Sequence, residues 1–233
     1  MTNLRLLCVF GIVGVLCTQV QIGAGTPTQT QALQANSLPP TIPIFPLGDI
    51  MLFPKTTRRL HIFERRYRDM VADALEGNRL IGMVLLRPGY DMEYEGRPPV
   101  YPIGCVGVIV AVEELSDGRY NILLRGLTKF RITGENDSRS YRLAEVKALP
   151  EKLTEAERAN LADLREELSL LLPSSAPGLE VPADLPDENL INGLAQVIDL
   201  DPRDRLGLLE QPSLLARAQA LVNLLHIRLA LPR

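Results

Sequence analysis

Two histidines and three cysteines are the scarce reactive residues of this 233-residue chain, and their spacing limits the chemistry open to them. His61 and Glu64 could share a metal ion, but no third ligand stands near them in sequence. Zinc sites ordinarily take three or four protein ligands. Cys105 and His226 are remote from one another, and Cys105 sits in the apolar run YPIGCVGVIV, where a thiol behaves as a core residue. None of the lysines (Lys55, Lys129, Lys147, Lys152) follows a glycine, which excludes the Gly-Lys-Ser/Thr phosphate loop. No Gly-x-Ser-x-Gly turn occurs either, so the usual hydrolase nucleophile elbow is missing. No catalytic residue, metal or cofactor is expected. Asn136-Asp137-Ser138 has the glycosylation pattern, which matters only in a eukaryotic secretory pathway and otherwise reads as a surface turn.

The most charged stretch is KTTRRLHIFERRYR (55–68), with six Lys/Arg and one acid. Such a run could grip phosphates or an acidic partner. The plainer reading makes Arg65, Arg66 and Arg68 the wet side of a helix, paired with Asp69, Asp73 and Glu76 one turn on. The whole chain carries a net charge of -3 with a pI near 5.5, which opposes a dedicated nucleic-acid binder.

The elements that must position these residues fall into three segments. Residues 1–36 hold a single charge, Arg5; residues 37–149 hold 16 basic and 14 acidic residues; residues 150–233 hold 8 and 14. In the first, an apolar run from Leu6 to Leu16 precedes the small residues Gly23, Ala24 and Gly25, the order of a secretory signal peptide over 1–25. An uncleaved anchor and a misassigned start upstream of a cytosolic protein are the alternatives. Cleavage would remove Cys8 and Cys17, leaving Cys105 without a partner for an internal disulfide. Residues 26–37 then form a polar leader with nothing to bury.

The middle segment, 38–150, reads as strands around one helix. Strands are predicted over 42–47, 50–54, 79–86, 101–115, 119–126, 129–135 and 141–149, with Asp117-Gly118 as a hairpin turn. FERRYRDMVADALEGN (63–78) has helical spacing, with Phe63, Tyr67, Met70, Val71, Ala74 and Leu75 on one face. So many short strands suggest a closed or nearly closed β-barrel, which removes most exposed edges. The last segment, 151–233, reads as helices: one from a Thr154/Glu157 capping box to just before Pro173, then 187–200, a short turn at 204–211, and 213–229.

LPPTIPIFPLGDIMLFPKTTRRLHIFERRYRDMVADAL (38–75), RLIGMV (79–84) and YPIGCVGVIVAVEELSDGRYNILLRGLTKFRI (101–132) resemble the Lon N-terminal, or substrate-binding, domain. Ile103-Gly104-Cys105-Val106-Gly107 and Leu124-Arg125-Gly126 fall where that family keeps its "IGTVG" and "L-x-G" strands. NGLAQVIDLDPRDRLGLLEQPSLLARAQALVNLL (192–225) is similar to the helical region that follows. The resemblance implies an α+β fold, a PUA-like β-pseudobarrel with one internal helix followed by a C-terminal helical bundle. In full-length Lon proteases this region captures unfolded or tagged substrates and helps assemble the hexamer, while ATPase and Ser-Lys protease modules do the catalysis. The 233 residues contain neither module, so the chain looks like a stand-alone member. The signal-like segment departs from Lon, which works in the cytosol or in organelles.

The expectation is a non-catalytic module that binds unfolded or extended polypeptide, exported to the periplasm or beyond the cell. It would touch a membrane only through an uncleaved N-terminal segment. The alternatives are a nucleic-acid-binding PUA-like protein and a cytosolic accessory to ATP-dependent proteolysis. Exposed apolar groups and arginines at loops and strand ends suit such capture, and Phe53, His61, Tyr90, Tyr94 and Arg125 are the candidate positions.

Overall fold

A computed structural model describes residues 38–90, 96–182 and 184–230; the signal-like segment and leader lie outside them. Six strands and one helix come first: β1 (Thr41–Leu47), β2 (Thr57–Ile62), α1 (Arg65–Glu76), β3 (Leu80–Leu86), β4 (Val100–Glu114), β5 (Tyr120–Asn136) and β6 (Arg142–Leu149). Four helices follow: α2 (Glu155–Ser175), α3 (Asp187–Val197), α4 (Pro202–Glu210) and α5 (Leu214–Ala230). This is a mixed α+β fold.

The sheet order is β2-β5-β4-β3-β1-β6, and β6 also pairs with β5. Five strands therefore close into a ring, and all neighbours are antiparallel except the parallel pair β1 and β3. The 17-residue β5 does two jobs. Its far half pairs with β6 (Lys129 opposite Leu149 to Asn136 opposite Leu143), while its near half pairs with β2 (Tyr120 opposite Ile62 to Arg125 opposite Thr57). β2, the near half of β5 and the end of β4 thus form a three-stranded arm beyond the ring.

Side chains alternate across a strand, and β3 shows what that does in LIGMVLL. Leu80 and Val84 join Ile42, Ile44, Val106, Val108, Phe130 and Ala144 inside the ring. Ile81, Met83 and Leu85 point outward into a second, larger core shared with α1 and the four C-terminal helices. A strand buried on both faces needs an apolar residue at nearly every position. The Phe130 ring fills the ring's interior at the cost of its neighbours' side chains: a Cβ on Gly82 would stand 2.8 Å from Phe130 Cζ, and one on Gly104 2.9 Å from it.

The helices are placed by their apolar stripes. Leu161, Leu164, Leu168 and Leu172 of α2 and Leu214, Ala218, Leu221, Val222 and Leu225 of α5 are all buried. The capping box at Thr154 and Glu157 forms as expected, with Glu157 N–H donating to Thr154 Oγ1 at 3.3 Å and Thr154 N–H to Glu157 Oε2 at 2.9 Å.

Four expectations need correction. The stretch 50–54 is buried but not a strand, because it turns at Pro54 and at Lys55, whose φ is 63°. TRRLHI (57–62), part of the basic run and outside the strands expected above, is β2; it alternates Leu60 and Ile62 inward with Arg59 and His61 outward. Phe63 precedes α1 and is 60% exposed rather than on its dry face. α2 runs through Pro173 to Ser175, since the missing proline N–H would bond only the exposed Ser169 region, and Ala176 N–H closes the helix on Leu172 O.

Candidate polypeptide-binding surface

Two polar assemblies bear on the candidate positions, one buried and one open. The buried one joins the ring to the helices. Arg217, fully enclosed on α5, donates to Leu208 O (2.9 Å), Asn192 Oδ1 (2.8 Å) and both oxygens of Glu151 (2.6 and 3.0 Å). Glu151 also pairs with Lys129 Nζ of β5 at 2.6 Å, and that ammonium donates to Gln211 O as well. Burial holds the Lys129 ammonium below the usual lysine range, against the opposing pull of Glu151. Burial likewise pushes the Cys105 thiol well above its ordinary value, so it stays protonated and inert. Gln196 of α3 completes the joint: it accepts from Phe53 N–H (3.2 Å) and Thr56 Oγ1 (2.6 Å) and donates to Thr57 O (2.9 Å).

The open assembly lies on the arm. In register across three strands stand His61 on β2, Asn121 on β5 and Glu113 on β4, with Arg59, Leu123 and Ala111 in the next row. His61 Nδ1 lies 2.7 Å from Asn121 Oδ1, and Asn121 Nδ2 donates to Glu113 Oε2 at 2.8 Å. Arg119 Nη1 lies 3.2 Å from His61 Nε2. An arginine can only donate, so this network assigns the Nδ1-protonated tautomer. These residues floor an open hollow of about 570 Å³. A smaller hollow of about 380 Å³ lies at the other end of the ring, between Tyr90, Tyr101 and the start of α4. There the guanidinium carbons of Arg203 and Arg87 lie 4.6 and 5.4 Å from the Tyr101 ring centre.

The candidate positions do not converge on one site. His61 and Arg125 are exposed on the same face of the arm, and Tyr90 is exposed at the smaller hollow. Phe53 is fully buried beneath the Gln196 contact and packs the core, so its ring is not presented to a partner. Tyr94 lies outside the described residues. The basic run is largely consumed by the fold: Arg58 donates to Met51 O and Gln196 O, Arg66 pairs with Glu64, and Arg68 donates to Asp117 O. Sequence reasoning missed Asn121, Gln196 and Arg217, each of which has a partner at least 60 residues away. Among the described residues no cluster of three or more His, Cys, Asp or Glu is placed to hold a metal, and no helix is long and apolar enough to cross a membrane.

The ring, the arm and the helices packed on the ring make one mixed α+β class of domain. Residues 41–226 match the ATP-dependent protease La (LON) substrate-binding domain, and the chain belongs to that family. It is 26% identical over 183 residues to the Lon protease of Desulfosudis oleivorans, a match covering 75% of this chain and 22% of that protein. It is 28% identical over 166 residues to the Lon protease of Dictyoglomus thermophilum, covering 69% and 19%. The chain thus spans about a fifth of the curated relatives it matches. Among solved structures it resembles a Lon N-terminal domain protein from Xanthomonas campestris (TM-score 0.53, 24% identity, 82% of this chain and 99% of that one). It also resembles the N-terminal domain of the Mycobacterium avium complex Lon protease (TM-score 0.58, 17% identity, 80% and 98%). These likenesses show the fold.

Proposed function

We propose that the chain is a polypeptide-binding module that catalyses nothing itself, built as a PUA-like pseudobarrel with a C-terminal helical bundle. The observation that carries this reading is the family match over 41–226, joined to an arm that leaves backbone and apolar side chains open to solvent. The buried joint is committed to holding the ring against the helices, whereas the arm and the Tyr90 hollow are open to a partner. The signal-like run Leu6–Leu16 supports action outside the cytosol. N-terminal sequencing from the native host should give a mature start near residues 24–26 in a fraction outside the cytosol, whereas a chain beginning at Met1 in the cytosol contradicts export.

The binding reading is tested by fluorescence anisotropy of a labelled, permanently unfolded protein titrated with the chain. Saturable binding, lost when the same protein is folded, is expected. No saturable binding at tens of micromolar contradicts it.

A further inference from the structure

We propose that the open edge of β4, Val110–Glu114, takes up an extended polypeptide as an added strand, with apolar residues against Val110–Val112 and a lysine or arginine against Glu113 and Glu114. This rests on the polypeptide-binding reading and names where and how it acts.

The slot beside β4 is filled by β3 only as far as Leu80 opposite Val108, after which Ile109 N–H donates to Arg79 O at 2.9 Å. At Arg79, with φ 61°, the chain arrives from α1 and turns into β3. Among the described residues no strand pairs with the next five residues of β4 on that side. Which of their backbone groups are open follows from the hairpin. Leu115 N–H donates to Arg119 O at 2.8 Å, so the groups of Leu115 face β5. Antiparallel pairs alternate between bonded and non-bonded, so Glu113 and Ala111 also face β5. The N–H and C=O of Val112 and Glu114 therefore point outward. Bare edges of this kind are the usual template for strand addition.

The two ends of the arm differ in how the edge is guarded. On β2, Gln196 caps Thr57 O and Arg58 and Arg59 flank the strand. On β4, Val110 and Val112 are 41% and 40% exposed, and the first charges come only at Glu113 and Glu114. Charge complementarity therefore selects a segment that is apolar first and basic at its end. Alternate side chains of the added strand would extend the hollow floored by Asn121 and Glu113.

The test uses the full chain and a fluorescent ten-residue peptide of alternating valine and threonine ending in two lysines. Val112→Pro removes an outward N–H and breaks no internal hydrogen bond, so the protein should fold as judged by circular dichroism. It should bind the peptide at least tenfold more weakly. A peptide N-methylated at alternate residues should lose the same amount against the unchanged protein, an arm that holds even if the proline variant misfolds. Replacing the two lysines by glutamates should also weaken binding. Unchanged affinity for the N-methylated peptide overturns strand addition, even where the chain still binds an unfolded protein and the broader reading stands. If the chain binds no unfolded protein at all, that broader reading fails. A concentration-dependent dimer dissolved by Val112→Pro would overturn the proposal in favour of pairing with a second copy.

Discussion

The joint between ring and helices and the arm beyond the ring use the same strand, β5, in opposite ways. At Lys129 the strand supplies a buried charge that is met on every side, by Glu151 and by Gln211 O, within a network extending to Arg217 and Asn192. Eight residues earlier, at Asn121, it supplies a polar side chain that lies on an open face between His61 and Glu113. A buried charge without its partner is costly, so the joint cannot be altered piecemeal. The arm meets water and tolerates exchange. The contrast teaches that stability and recognition are separated along one strand, and substitutions in the two regions should separate likewise.

The largest effect is expected from Arg217→Met, which leaves Asn192 Oδ1 and Leu208 O without their buried donor and Glu151 with Lys129 alone. Urea denaturation should show a loss of about 3–5 kcal/mol. Little change there would break the distinction between the regions. Gly82→Ala comes next: its methyl carbon would meet the Phe130 ring at 2.8 Å inside the ring, and overpacking costs roughly 1–3 kcal/mol on the same assay. Gln196→Ala removes the partner of Phe53 N–H and Thr56 Oγ1, and about 1–3 kcal/mol is expected for buried groups left unsatisfied. On the arm, Asn121→Ala should shift stability by no more than about 0.5 kcal/mol, and a larger loss would show that the arm too is structural.

The smallest effect concerns pH. The Thr154 backbone N–H, followed by its hydroxyl, holds the Glu157 carboxyl below the ordinary glutamate value. A carboxyl depressed in the folded state contributes stability above its unfolded pKa and loses it as pH falls through the folded one. Protection of the amides at the first turn of α2, relative to their intrinsic exchange, should therefore fall as the solution is acidified below the usual glutamate range, while Glu157→Gln should abolish that dependence.

Much of this division was legible in the sequence, and the reason is local. The β-branched runs, the Asp117-Gly118 turn and the Thr154/Glu157 box each act within a few residues, so periodicity and spacing exposed them. β2 was missed because arginines outweighed its alternating Leu60 and Ile62. The helix boundary at Pro173 was missed because a proline near a solvent-facing last turn forfeits one bond and little else. Of the candidate positions, His61, Tyr90 and Arg125 lie exposed, whereas Phe53 is buried because its turn folds under α3. The pairings of Gln196 with Thr56 and of Arg217 with Glu151 span 140 and 66 residues. No pattern in the chain announces them.

Residue-resolved amide exchange on the chain, with and without an unfolded polypeptide, tests the central claim most directly. Alone, the N–H groups of Val112 and Glu114 should exchange fast, while those of Ala111 and Glu113 are protected by β5. With polypeptide bound, Val112 and Glu114 should become protected and the joint residues around Arg217 should not change. Bound polypeptide with no new protection on β4, or with protection confined to the Tyr90 hollow, would contradict the account.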